Sequence, residues 1–126
     1  MSDDGQRRAE RIEKPWGHEL IWAHTDRYVG KILRIRAGEA LSLQYHRFKD
    51  ETLRVLDGSL DFEAGEAPDR MVRHRLEAGA VVHVPPGTLH RLTAVTDCRL
   101  LEVSTPELDD VVRLDDRYGR AGTSEP

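Results

Sequence analysis

Residues 38–58 decide the fold, and they read GEALSLQYHRFKDETLRVLDG. A short strand carries Gln44 and His46, and a charged turn separates it from a second strand that begins at Glu51. Because alternate residues of a strand point to the same side, Gln44 and His46 share one face. We expect the turn to form a hairpin, which would place the carboxylate of Glu51 beside that pair.

A second stretch, residues 79–90, reads GAVVHVPPGTLH and supplies another imidazole. Pro85, Pro86 and Gly87 predict a rigid turn after a strand, so that His90 opens the next strand. Nitrogen and oxygen ligands held on fixed strands suit a borderline divalent metal. The sequence therefore predicts one divalent ion, with zinc as the first choice and manganese, cobalt, nickel or iron as alternatives. Its predicted ligands are Gln44, His46, Glu51 and His90.

Short strands broken by turn residues continue on both sides of these stretches, from about His18 to Ser104. Turn signals that recur at roughly 8–12 residues are typical of an all-β sandwich or barrel. The dipeptide Asp57-Gly58 predicts a tight hairpin. Residues 107–118 fit a short helix or an extended arm. We expect three parts: a flexible charged arm (1–13), one barrel domain (14–120) and a loose tail (121–126).

Composition excludes several classes of function. The formal net charge is −4, and no basic stripe with interleaved aromatic residues is present, which argues against nucleic acid as a partner. No apolar run approaches the roughly 18 residues that span a bilayer. The charged N-terminal residues lack the apolar segment of a secretory signal. The single cysteine, Cys98, lies in an apolar run, where a structural role is expected, and it fits a reducing cytoplasm.

The two stretches resemble the two motifs of the cupin superfamily. Residues 38–58 are similar to G(X)5HXH(X)3,4E(X)6G, and residues 79–90 are similar to G(X)5PXG(X)2H(X)3N. Every spacing fits, but Gln44 stands where histidine is frequent and Ala94 stands where asparagine is frequent. The resemblance implies a single-domain double-stranded β-helix, which is a jelly-roll barrel, with a metal inside it.

The sequence LSLQYH (41–46) resembles one branch of the cupins, the type II mannose-6-phosphate isomerases. The resemblance extends from residue 14 to residue 120, with Lys49 and Leu53 as departures beside the metal site. It implies binding of a sugar phosphate and aldose–ketose isomerisation through a metal-stabilised enediolate. The matching segments are KPWG (14–17), YVGKILRIRAGEALSLQYH (28–46), PPGTLHR (85–91), LEVSTP (101–106) and DDVVRLDDRYGR (109–120).

Isomerisation needs a base that reaches a carbon-bound proton, and the sequence leaves three candidates open: Glu102, His83 and Lys31. A phosphate group needs cationic or hydroxyl donors. A solvated surface position is the competing interpretation for each donor taken alone. The candidates for substrate binding are Lys31, Lys49, Arg113, Tyr118 and Arg120.

Two other functions stay open. One is a non-catalytic metal-binding cupin that holds a small sugar or another metabolite. The other is an iron-dependent oxygenase, which a histidine and carboxylate site with an open position would allow. A homodimer is also expected, because Leu41, Leu43 and Tyr45 point away from the ligands and need cover. Trp16 and Trp22 are expected in the core rather than as sugar-stacking surfaces.

Overall fold

β-strands are the only regular elements in the computed structural model, which describes residues 5–124; no helix occurs among these residues. Accordingly, nothing in the described part of the chain could cross a membrane as a helix. The strands are β1 (Glu10–Lys14), β2 (Gly17–His24), β3 (Val29–Ile35), β4 (Leu43–Tyr45), β5 (Glu51–Asp57), β6 (Leu60–Gly65), β7 (Met71–Leu76), β8 (Val81–Val84), β9 (Leu89–Ala94), β10 (Cys98–Ser104), β11 (Val111–Asp115) and β12 (Gly122–Ser124).

The strands form two six-stranded sheets, and every pairing is antiparallel. The first sheet has the order β1-β2-β3-β10-β5-β8, and the second has the order β12-β11-β4-β9-β6-β7. Neighbours in the sheets are often distant in sequence, as in β3 with β10. The two inner faces enclose the core, so the predicted all-β jelly roll is confirmed.

The inner face of the first sheet carries apolar side chains at one end of the barrel and charged side chains at the other. Leu33 on β3 lies opposite Leu100 on β10, and both side chains are buried in the hydrophobic core. Two residues further along, the same inner face carries Lys31 opposite Glu102, and these are buried as well. The barrel is therefore apolar at one end and lined by charged groups at the other.

The turns before and after β5 connect the two sheets and do not form hairpins. β4 lies in the second sheet and β5 in the first, so Glu51 faces the second sheet from across the barrel and does not lie alongside Gln44. The hairpin predicted at Asp57-Gly58 is wrong for the same reason, since β6 returns to the second sheet. Gly58 is still required: its φ is +83°, and a Cβ there would lie 2.3 Å from the carbonyl oxygen of Asp97.

The ends of the barrel extend further than the sequence predicts. Strand β1 begins at Glu10, inside the expected arm, because its backbone pairs with β2. Strand β12 lies inside the expected tail and pairs with β11. The segment 107–118 contains β11, which supports the extended alternative over the helix. Residues 1–4 of the arm and 125–126 of the tail lie outside the described residues.

Two expectations about apolar side chains are wrong. Leu41 packs against the hydrophobic core, because β4 begins only at Leu43 and strict alternation does not reach back to residue 41. Trp22 is 48% exposed, and its ring lies over Gly30, where an added Cβ would come within 2.6 Å of it. Trp16 is buried in the core as expected, with 3% exposure.

Asp110 fixes the turn that carries the chain from β4 to β5. Its carboxylate is buried and accepts hydrogen bonds from three consecutive backbone N–H groups. The N···O distances are 3.1 Å for Arg47, 2.7 Å for Phe48 and 3.0 Å for Lys49. Burial acts to raise the pKa of Asp110, but these backbone hydrogen bonds outweigh it and hold the pKa below its usual range.

Replacing Asp110 should therefore destabilise the fold. Asp110→Ala leaves three N–H groups without an acceptor, and we expect a loss of about 3 kcal/mol in the free energy of unfolding, measured by urea denaturation at neutral pH. Asp110→Asn retains one acceptor oxygen and should lose less. The exposed Asp69 provides the control, since Asp69→Ala should change stability by no more than about 0.5 kcal/mol. Equal losses at both positions would contradict the role given to Asp110.

Candidate metal centre

Two imidazoles and one carboxylate converge at the polar end of the barrel interior. His46 directly follows β4, His90 lies on the neighbouring strand β9, and Glu51 is the first residue of β5 on the facing sheet. One ligand atom from each lies within 4.8 Å of the other two, and all three residues are buried. The two sheets therefore contribute different donor types to one point.

Backbone carbonyls set the orientation of both imidazoles. His46 Nδ1 lies 2.6 Å from the carbonyl oxygen of Asp110, and His90 Nδ1 lies 2.9 Å from that of Thr88. Because a carbonyl oxygen only accepts hydrogen bonds, each Nδ1 must carry the proton. In the neutral ring, each Nε2 is then left with a free lone pair. This arrangement is typical of histidines that ligate a metal.

The unpartnered atoms fit a divalent cation. Among residues 5–124, His46 Nε2 and Glu51 Oε2 are buried without a hydrogen-bond partner, although they lie 3.3 Å apart. His90 Nε2 lies 3.8 Å from the other oxygen of Glu51. Burial lowers the pKa of His90, so its ring is neutral and able to donate a lone pair. The donor set of two nitrogens and one carboxylate is one that zinc and related metals accept.

Gln44, the fourth predicted ligand, lies in the same cavity wall. Its backbone pairs directly with that of His90 across β4 and β9. Its amide oxygen accepts a hydrogen bond of 3.2 Å from the hydroxyl group of Ser42. Its role as a ligand stays a prediction, since an amide is a weaker donor than the other three groups.

Lys49 provides the positive charge that lies next to the triad carboxylate. Its Nζ lies 3.0 Å from Glu51 Oε2 and 3.0 Å from Glu102 Oε2, and the three side chains are buried. Burial alone would lower the pKa of Lys49, but the charges of Glu102 and Glu51 outweigh it and raise that pKa above its ordinary value. For Glu51, burial acts in the opposite direction, yet Lys49 and His46 hold its pKa below its usual range. Lys49 is therefore charged and Glu51 ionised, ready to bind a metal.

A cavity of about 170 Å³ lies over these groups. Glu102 lines it from β10, and Oε2 of this buried carboxylate has no well-directed hydrogen bond within the described part of the chain. Lys31 also lines the cavity, but its Nζ is paired with the carboxylate of Glu19 at 3.2 and 3.4 Å. Of the three predicted bases, Glu102 is the carboxylate that faces the triad, while Lys31 is already engaged.

Three of the predicted residues do not line this cavity: His83, Tyr118 and Arg120. His83 lies on the outer face of β8, where its Nε2 contacts Asp50 at 2.6 Å, because Val84 and not His83 faces the core. Tyr118 packs against the core, and its hydroxyl group hydrogen-bonds to the carboxylate of Glu39. These positions do not support the predicted catalytic role of His83 or the predicted substrate contact of Tyr118, and both roles stay predictions.

The two predicted arginines differ in their contacts. Arg113 lines the main cavity and also a side cavity of about 60 Å³. Arg120 lines only the side cavity, and its guanidinium group binds Asp116 through Nε and Nη2, both at 3.1 Å. Arg113 is thus placed to reach a molecule in the cavity, whereas Arg120 is held by its own chain.

Sequence reasoning missed three residues that shape or line the cavity: Asp110, Glu19 and Lys14. Glu19 could have been found, because it lies between Gly17 and Ile21 on the buried face of β2, where a charged residue is unexpected. Asp110 and Lys14 have no such local signal. Asp110 acts through a turn more than sixty residues away, and Lys14 reaches the cavity only because β1 pairs with β2.

The chain belongs to the cupin family. The Cupin domain family matches residues 31–104, which include the whole triad and most of the first sheet. Solved structures support the fold. KdgF from Halomonas sp. is similar with a TM-score of 0.66 and 20% identity, over 85% of this chain and 93% of that one.

Sequence relatives come from two different groups. Mannose-1-phosphate guanylyltransferase of Escherichia coli strain K12 is 33% identical over 114 residues, which is 86% of this chain and 23% of the relative. Acireductone dioxygenase of Schizosaccharomyces pombe is 42% identical over 53 residues, which is 41% of this chain and 30% of the relative. The chain spans about a quarter of the length of the guanylyltransferases that it matches.

A metal that binds the folded triad should stabilise the fold by mass action. With zinc at a hundredfold excess over its dissociation constant, we expect the melting temperature to rise by about 10 °C. A chelator should reverse the shift, and metal analysis should give about one zinc per chain. The double variant His46→Ala, His90→Ala should show no shift, whereas His74→Ala, on the exposed face of β7, should behave as the original protein. A zinc shift that survives in the double variant would rule out this site.

Lys49 should matter most when no metal is bound. Lys49→Met leaves the carboxylates of Glu51 and Glu102 buried without a cation, so the free energy of unfolding in chelator should fall by about 3 kcal/mol or more. Saturating zinc should recover part of that loss, since the metal neutralises Glu51. The measurement is urea denaturation of both proteins with and without zinc. The same loss under both conditions would show that Lys49 acts through packing and not through charge.

Proposed function

We propose that this chain is a metal-dependent aldose–ketose isomerase that acts on a phosphorylated hexose. The observation that carries the proposal is a buried carboxylate, Glu102, which is not a predicted metal ligand and lines the same cavity as the His46, Glu51 and His90 triad. Isomerisation needs both elements at once: an electrophile for the sugar oxygens and a base for the carbon-bound proton. Support for a phosphorylated hexose comes from relatives whose names specify mannose 1-phosphate, and from the resemblance across residues 14–120.

The triad residues would hold the metal, with zinc as the first choice and Gln44 as a possible additional ligand. A divalent ion bound there supplies Lewis acidity toward the carbonyl and hydroxyl oxygens of an open-chain sugar. The side chains around the triad exclude bulk water, since His46, Glu51 and His90 are all buried. Charge that develops on the sugar oxygens is therefore poorly screened, which strengthens its stabilisation by fixed cations.

Glu102 would accept the proton from C2 of the aldose and return it to C1. Its carboxylate projects from the inner face of β10, and the ammonium group of Lys49 orients it from 3.0 Å away. One carboxylate that serves both carbons keeps the proton within the cavity. Lys31 is held in the ion pair with Glu19 and lines the wall of the cavity.

The test measures by NMR how fast deuterium from D₂O replaces the hydrogen at C2 of the sugar. It uses zinc-loaded protein and mannose, glucose or fructose 6-phosphate. We expect exchange at C2 for at least one of these sugars. Glu102→Gln should reduce the rate by at least about a hundredfold, because the amide cannot accept the proton. The same variant should retain its zinc-dependent thermal shift, since Glu102 is not a predicted ligand.

The controls separate catalysis from binding. Glu63→Gln changes a carboxylate on β6 that does not line the cavity, and it should exchange at the original rate. If the zinc-loaded protein binds a phosphosugar but never exchanges the proton, the isomerase proposal fails. The non-catalytic metal cupin then becomes the better description.

A second candidate, iron-dependent oxygen chemistry, is favoured by the 42% identity to acireductone dioxygenase over 53 residues. Two histidines and one carboxylate are also the donor set of non-haem iron oxygenases. Oxygen consumption by the iron-loaded protein, in the presence of an enediol compound, would support this candidate over the isomerase. The homodimer and the cytoplasmic location stay predictions of the sequence.

A further inference from the structure

Two cations that line the cavity have no ion-pair partner within the described part of the chain. Across residues 5–124, the side chains of Lys14 and Arg113 form no hydrogen bond or ion pair. Both are half-buried, and both line the main cavity and the side cavity. Burial lowers the pKa of Arg113, and the nearby charge of Arg120 lowers it further, although an arginine remains protonated.

The other cations of this region are already compensated. Lys31 is paired with Glu19, Lys49 lies between Glu51 and Glu102, and Arg120 holds Asp116. Glu19 is the carboxylate that lines both cavities, and it already forms an ion pair with Lys31. Among residues 5–124, Lys14 and Arg113 are therefore the cavity-lining cations that no carboxylate holds by an ion pair or a hydrogen bond, although the charges of Asp116 and Glu19 act on Arg113 from further away.

Strand register gives the distance between Arg113 and the metal ligand His90, whereas Lys14 is placed by its position in the lining of the same cavity. Arg113 on β11 pairs with Gln44 on β4, and Gln44 pairs with His90 on β9. Residues paired laterally lie on the same face of a sheet, and two strand spacings amount to about 10 Å. This separation is comparable with the length of an open-chain hexose that carries a phosphate on its last carbon.

We propose that Lys14 and Arg113 form the phosphate subsite of this protein, at the opposite end of the cavity from the His46, Glu51 and His90 triad. A phosphate group would lie between β1 and β11, where the guanidinium of Arg113 donates two hydrogen bonds and the ammonium of Lys14 adds a point charge. The sugar chain then runs along Gln44, with its first two carbons at the triad. The direction of the sugar rests on the proposed function, whereas the anion site does not.

The first experiment measures the binding of inorganic phosphate by calorimetry, to the zinc-free and the zinc-loaded protein. We expect binding in both forms. Arg113→Gln and Lys14→Gln should each weaken it about tenfold or more, which is the effect of losing one charge-assisted contact. The matched control is Arg54→Gln, an exposed arginine on the outer face of β5, and it should bind phosphate unchanged. Acetate in place of phosphate should bind much more weakly, because a single carboxylate has fewer acceptor oxygens and less charge.

Several outcomes would overturn the subsite. If phosphate binds only to the zinc-loaded protein, and Arg113→Gln does not change its affinity, the phosphate is a ligand of the metal. Equal weakening by Arg54→Gln would show a general effect of surface charge. No binding at all would also reject the subsite, whatever the isomerase assay gives. Melting temperatures of all variants, measured in zinc, confirm that a loss of binding is not a loss of fold.

A second measurement separates this inference from the proposed function. If exchange at C2 is found, Arg113→Gln should raise the KM for the phosphorylated sugar about tenfold or more, whereas the control Arg54→Gln should leave that KM unchanged. If no sugar shows exchange but phosphate binding still depends on Lys14 and Arg113, the isomerase fails and the subsite stands. If exchange occurs and the KM is unaffected in Arg113→Gln and Lys14→Gln, the subsite fails and the isomerase stands.

Discussion

The site depends on one buried carboxylate that is not a ligand. Asp110 binds three backbone N–H groups of the turn after β4, and its own carbonyl oxygen fixes the ring of His46. The turn then delivers Lys49 and Glu51 to the opposite sheet. Because buried N–H groups without an acceptor are costly, this one side chain couples the path of the backbone to the geometry of the triad.

Burying the charged side chains in the polar half of the barrel costs desolvation free energy, and ion pairs between these side chains offset that cost. Lys31 with Glu19, and Lys49 with Glu51 and Glu102, place opposite charges within 3.4 Å of one another. Buried ion pairs of this kind seldom add net stability over apolar packing. Their position around a cavity, beside His46 Nε2, which is buried without a hydrogen bond, fits a functional site better than a purely structural role.

The polar half of the interior also explains why some inward-facing strand positions of this chain carry charged residues where apolar ones are expected. The inner face of β3 is apolar except at Lys31, and Glu102 is the charged residue on the inner face of β10. Each exception lies opposite the other in the register of the two strands. Local strand preference and the apolar half of the interior stabilise the fold. The charged residues Lys31 and Glu102, on the same inner face, line the cavity.

The sequence by itself determined the all-β sandwich or barrel class and the candidate triad, because turn residues and motif spacing act over short distances, and its resemblance to the cupins added the jelly-roll architecture. Only the tertiary structure decided that Glu51 approaches from the facing sheet, that His83 points outward, and which cations are already paired. Sheet topology and pairing partners depend on contacts such as Lys49 with Glu102, which lie far apart in the chain. The free charges of Lys14 and Arg113 come from opposite ends of the sequence, and only the closed barrel places them on one cavity.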